Sequence, residues 1–144
     1  MKRLALSCLL LFALSCKTET EDDSSLYAKC DQTTLINQSG YPSATIGNAN
    51  ISQAAISGNC LRLAYSSSGC DGSSWQVSLI TDGTVDLSTI PATRKLKFIL
   101  VNQEICAAVI SKEKSFDISN LQVSGAQAVS LYIENNGQTL VYQY

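Results

Sequence analysis

The 144-residue chain has six cysteines, twelve carboxylates and no histidine. Without an imidazole it lacks the commonest metal ligand and the side chain best suited to proton transfer near neutral pH, so any catalysis would have to run on carboxylates, hydroxyls or thiolates. The cysteines stand at 8, 16, 30, 60, 70 and 106, and no CxxC spacing points to a thiolate metal site or a redox pair. Asp82, Gly83 and Asp86 offer a few oxygens, but a calcium loop needs six or more, and the pattern suits a turn better. Ser66 to Gly69 is not a GxSxG elbow and has no histidine to activate it. Neither a metal, a cofactor nor a catalytic set is expected, and the chain reads as leaning away from enzymes.

The first sixteen residues, MKRLALSCLLLFALSC, join a basic start (Lys2, Arg3) to an apolar run and a small-residue exit. That is the form of a secretory signal. The run is about half of the roughly 20 residues that a membrane-spanning helix needs. Ala13-Leu14-Ser15 would serve an ordinary signal peptidase, but the cysteine that follows resembles a bacterial lipobox. Parity favours lipidation: losing Cys8 with the signal leaves five cysteines, and a lipid on Cys16, palmitate among its acyl chains, leaves four. The expected organisation is a signal over 1–15, a lipidated Cys16 with an acidic tether over 16–25, and a folded domain over 26–144. Lys17 followed by Glu19, Glu21, Asp22 and Asp23 resembles the export signals of surface lipoproteins in the Bacteroidetes, which implies attachment at the outer membrane with the domain either surface-exposed or facing the periplasm. Processing would leave 8 basic and 12 acidic residues, a net charge of −4 against −2 for the whole chain. Nothing in that balance suggests nucleic acid.

Beyond the tether the alternation is β-like. Ile51 and Ile56 lead to Ser57-Gly58-Asn59, and Leu61, Leu63 and Tyr65 follow, which predicts a hairpin. Trp75, Val77 and Leu79 alternate up to Asp82-Gly83, and Leu96, Phe98 and Leu100 alternate with lysines. Ile105 to Ile110 is continuously apolar and predicts a more central strand, and Phe116-Asp117-Ile118 predicts the start of another. Val129, Leu131 and Ile133 reach Asn136-Gly137, a hairpin signal, before Leu140, Tyr142 and Tyr144. The fold class expected is all-β: a single antiparallel sandwich, Ig-like or Greek-key, of seven or eight strands. Trp75 opens an alternating run and is expected in the core rather than as a ligand platform.

Four cysteines outside signal and anchor allow three pairings, and the spacing does not choose among them. Several local patterns carry a resemblance. Cys30-Asp31-Gln32, Ser68 to Gly72 followed by Trp75, Glu104-x-Cys106-x-Ala108, Ser115 to Gln122 and the terminal Tyr142-x-Tyr144 are similar to small lipoproteins of the Bacteroidetes, particularly marine and soil Flavobacteriia. The likeness covers most of the expected mature chain, with one departure at Ile90-Pro91, where two prolines are expected. It implies no activity. It does imply that Cys70 pairs with Cys106, leaving Cys30 for Cys60. On that pairing Asp71 and Glu104 flank one bridge, either as a carboxylate pair of the kind glycosidases use or, more plainly, as two solvated loop acids. Asp71, Gly72 and Trp75 would form a loop pinned beside it, a recognition surface or only a structural corner.

These readings support a non-catalytic binding or structural module at the cell envelope, attached to the membrane through its N-terminal lipid. Its partner would be an envelope or extracellular protein or a glycan. The alternatives are an inhibitor of host or competitor proteases or lysozymes, and a carboxylate-dependent hydrolase.

Overall fold

The structure, a computed structural model, describes residues 29–144. The expected signal peptide, Cys16, the tether and Leu26 to Ala28 lie outside the described residues. Among the described residues nine strands make two packed sheets. The first four are β1 (Gln32–Thr33), β2 (Leu35–Ile36), β3 (Asn50–Ser57) and β4 (Cys60–Gly69). The rest are β5 (Gln76–Thr81), β6 (Thr93–Val101), β7 (Ala108–Asp117), β8 (Ala128–Ile133) and β9 (Gln138–Gln143). One sheet has the order β1-β7-β4-β3 and the other β2-β5-β6-β8-β9. The all-β sandwich is therefore as expected, with one strand more than the upper count.

The sheets are mixed rather than antiparallel. The hairpins β3-β4, β5-β6 and β8-β9 are antiparallel, but β6 pairs β8 in parallel. The reason is the path of the chain: after β6 it crosses to the other sheet, runs back as β7 and returns beside β6, so β8 points the same way as β6. β1 with β7 and β2 with β5 are also parallel, through two-residue strands at one edge.

The core follows the alternation. Leu61, Leu63 and Tyr65 of β4 and Phe116 of β7 face Leu79, Leu96, Phe98 and Leu131 of the second sheet, all buried. Phe98 is central, its ring 4.8 Å from Tyr65 and 6.0 Å from Phe116. Two sequence expectations are corrected. Residues 102–107 are a connection rather than part of a central strand, with Ile105 97% exposed. Phe116 and Asp117 end β7 instead of opening a strand, and Ile118 leads into a single 3₁₀ turn, Ser119–Leu121.

The sandwich has two distinct ends. At one, Cys30 is bridged to Cys60 at the start of β4, and Asp31 exchanges hydrogen bonds with Ser115. At the other, two connections cross between the sheets: 70–75 from β4 to β5, and 102–107 from β6 to β7. The ten residues of β4 separate these ends by roughly 30 Å.

Candidate functional site

The two crossing connections are fastened to each other. Cys70 and Cys106 form the second disulfide, so the pairing that the resemblance implies is present at both bridges. Glu104, half-buried, then inserts its carboxylate into the first connection. Oε2 accepts the backbone N–H groups of Cys70 at 2.6 Å, Gly72 at 3.0 Å and Asp71 at 3.3 Å. Oε1 accepts the Ser74 hydroxyl at 2.8 Å and the Ser74 N–H at 3.4 Å. Successive N–H groups of a tight turn converge on an anion in this way because they have no ladder to join.

Glycines make this approach feasible. A Cβ on Gly69 would collide with Glu104 Oε2 and the Trp75 ring. Gly72 has φ +69°, a conformation costly for any residue with a side chain. The Gly72 carbonyl accepts the Lys112 ammonium at 2.6 Å, and that ammonium lies 5.8 Å from the Trp75 ring centroid. Asp71 is exposed, and its Oδ1 accepts the Ser73 N–H at 2.7 Å, which forms a local turn. Trp75 is half-buried against the core, 6.2 Å from Tyr65, and its Nε1 is buried without a hydrogen-bond partner among the described residues.

Electrostatics follow from these bonds. Desolvation pushes the Glu104 carboxyl upward, but the Ser74 hydroxyl and the N–H groups of Gly72, Cys70 and Ser74 outweigh it and hold its pKa at about 2, against an ordinary 4.5. The Asp71 carboxyl is likewise lowered, chiefly by the Ser73 N–H. Asp71 and Glu104 do share a corner, yet both are held ionised, whereas a glycosidase pair needs one acid with a raised pKa. Their chemistry here is to accept hydrogen bonds and fix the loop. The sequence marks Glu104 as a neighbour of Cys106 but gives no sign of the role it takes, because the N–H groups it satisfies lie thirty or more positions away.

A pH experiment isolates this fastening. A carboxyl whose pKa is depressed on folding adds stability above its unfolded pKa, and that stability is lost as pH falls through the folded value. Wild type should therefore melt above Glu104→Gln at neutral pH, with a difference that begins to shrink near pH 4.5 and is gone near pH 2. Taking the difference removes the parallel contributions of Asp31 and Asp86, whose pKa values are also lowered but through other neighbours. A difference that does not vary with pH would show that Glu104 does not fasten the corner through its charge.

The remaining acidic loop is a turn. Asp82 Oδ1 accepts the Thr84 N–H and Asp86 Oδ1 accepts the Ser88 N–H, both at 2.9 Å. Among the described residues no cluster of three or more acidic, cysteine or histidine side chains is placed to hold a metal ion. Sequence reasoning misses Arg94, which is 9% exposed and sends Nε to the Leu121 carbonyl at 2.9 Å and Nη1 to the Gly83 carbonyl at 2.7 Å. Its place in the alternation, on the same face as Leu96 and Phe98, is the available signal.

No family model matches the sequence, and no curated protein matches it. Solved structures of similar fold include a toxin-related protein from Parabacteroides distasonis ATCC 8503, with TM-score 0.50 and 12% identity over 78% of this chain and 60% of that one. A protein of unknown function from Bacteroides vulgatus ATCC 8482 matches with TM-score 0.50 and 12% identity, over 78% of this chain and 56% of that one. A NigD-like immunity protein from Bacteroides caccae ATCC 43185 gives 0.49 and 10%, over 76% and 58%. The chain thus spans less than two thirds of the length of each, and what it shares with the first two at such identities is the sandwich fold.

Proposed function

We propose that this protein is a non-catalytic binding module, held at the bacterial outer membrane by a lipid on Cys16 and presenting the corner around Cys70–Cys106 to a partner. One observation carries the reading: a surface loop fastened by a disulfide and by five hydrogen bonds to Glu104 lies at the end of the sandwich away from Cys30, where the chain enters from the expected anchor. A loop fixed before binding has little conformational entropy left to lose on contact, so rigidity at an exposed tip favours recognition. Asp71 and Ser73 are exposed at that tip, and Ile105 beside them is an apolar side chain almost wholly in solvent. The same projecting loop favours a narrower form of the reading, an inhibitor that inserts the corner into the cleft of a foreign protease or lysozyme.

Cell fractionation tests the anchor. Wild type is expected in the membrane fraction with an acylated peptide beginning at Cys16, and Cys16→Ala is expected to leave that fraction or to accumulate unprocessed. Recovery of wild-type protein from the medium without acyl mass would overturn the anchored reading.

A further inference from the structure

Beside the corner, an open groove of about 520 Å³ separates the free edges of β5 and β7. Lys112 and Lys114 line it, together with Tyr65 and Trp75. We propose that this groove takes an extended segment of a partner protein carrying acidic side chains at alternate positions, added as a strand to the edge of β7. The inference rests on the reading of the protein as a binding module and adds the chemistry of what it binds.

The register of β7 supplies the argument. Lys112 pairs with Tyr65, Lys114 with Leu63 and Phe116 with Leu61, so the two lysines lie on the side of the sheet that faces the interior. Their spacing of two residues puts both side chains on one side of the strand, with their Cα atoms about 7 Å apart along it. Lys112 also reaches the Gly72 carbonyl, whereas Lys114 has no ion pair or hydrogen bond among the described residues.

The backbone beside them is open. β1 covers only Phe116 and Asp117, and Asp31 takes the Ser115 N–H through its carboxylate. The Ile118 N–H bonds the Asn59 carbonyl and the Asp117 carbonyl accepts from Thr34, so even-numbered residues of β7 bond towards β4 and odd-numbered ones towards the edge. The backbone groups of Val109, Ser111 and Glu113 therefore point outwards, with no strand among the described residues to receive them. A strand laid there would gain ladder bonds, as in other strand-addition complexes. Inward lysines near an edge repel an apolar strand and so guard against indiscriminate pairing. They would welcome a strand whose inward positions are Asp or Glu. The Tyr65 hydroxyl, on a side chain 3% exposed and without a hydrogen bond among the described residues, adds a donor in the same groove. A strand's backbone matches the outward N–H and C=O groups of β7 as an anionic saccharide would not.

Trp75 is the sole tryptophan and lines the groove, so its fluorescence reports occupancy. The purified protein would be titrated with three peptides: Thr-Glu-Thr-Glu-Thr, the equally charged Glu-Glu-Thr-Thr-Thr, and the neutral Thr-Gln-Thr-Gln-Thr. The alternating acidic peptide should bind at least about tenfold more tightly than either control, weakening with salt, and Lys114→Gln should cost about tenfold without altering the melting temperature. Equal binding of the two acidic peptides, no binding at all, or no effect of Lys114→Gln would overturn the proposal. So would binding that appears only after Glu19→Gln and Glu21→Gln, which would assign the groove to the chain's own Glu19-Thr20-Glu21. These measurements need no membrane, so they fail or succeed independently of the fractionation result.

Discussion

Phe98→Ala is expected to destabilise the domain by about 3–5 kcal/mol, the range for removing a fully buried aromatic ring from a packed interior. Phe98 has no exposed surface and lies against Tyr65 and Phe116, which come from the opposite sheet. The lost ring leaves a cavity between two sheets whose strands are fixed by hydrogen bonds and two disulfides, so collapse around it is restricted. The neighbouring Ile99, on the outer face and half-buried, provides the control, and Ile99→Ala should cost markedly less. Urea unfolding followed by Trp75 fluorescence measures both. Similar costs for the two substitutions would mean that the alternation along β6 does not mark inside and outside as described.

Replacing Cys70 and Cys106 together by alanine should cost about 2–4 kcal/mol, mainly by lengthening the list of conformations open to the unfolded chain. The other bridge closes a similar stretch, with a sequence separation of 30 against 36, so chain entropy alone predicts nearly the same cost for Cys30 and Cys60. The two should differ in where the native state loosens. Without Cys70–Cys106, Glu104 is no longer held two residues from a fixed point, and amide exchange of Cys70→Ala, Asp71 and Gly72 should accelerate. Without Cys30–Cys60 those amides should keep their protection. Equal loosening in the two variants would show that the corner does not depend on its own bridge.

Much of the architecture is legible in the sequence because it depends on short-range pattern. The hairpin turns at Gly58 and Gly137, both with positive φ, sit where turn residues interrupt alternation, and the buried positions of β4 and β6 are those that alternation selects. The parallel pairing of β6 with β8 is not legible, because partner and direction depend on the route between sheets and leave no periodic mark. The apolar stretch from Ile105 to Ile110 misleads for a related reason. Composition favours a buried strand there, but the crossing needs residues 102–107 as a connection, so Ile105 is left in solvent. At the corner, the cysteines and Gly72 can be picked out by type, and the resemblance supplies their pairing. What Glu104 does cannot be read from type, since a carboxylate looks alike whether it is solvated or surrounded by distant N–H groups. The groove is hidden likewise: nothing in the types of Lys112 and Lys114 sets them apart until the register with Tyr65 and Leu63 places them on the inward side.

The most direct test of the account asks which end of the sandwich meets the partner in living cells. A photoreactive amino acid would be placed either at Ser73, exposed on the corner, or at Ser57, exposed at the end that holds Cys30. After irradiation of intact cells, the account predicts a discrete higher-mass adduct from position 73 and none from position 57. An adduct from position 57 with none from position 73 would contradict it.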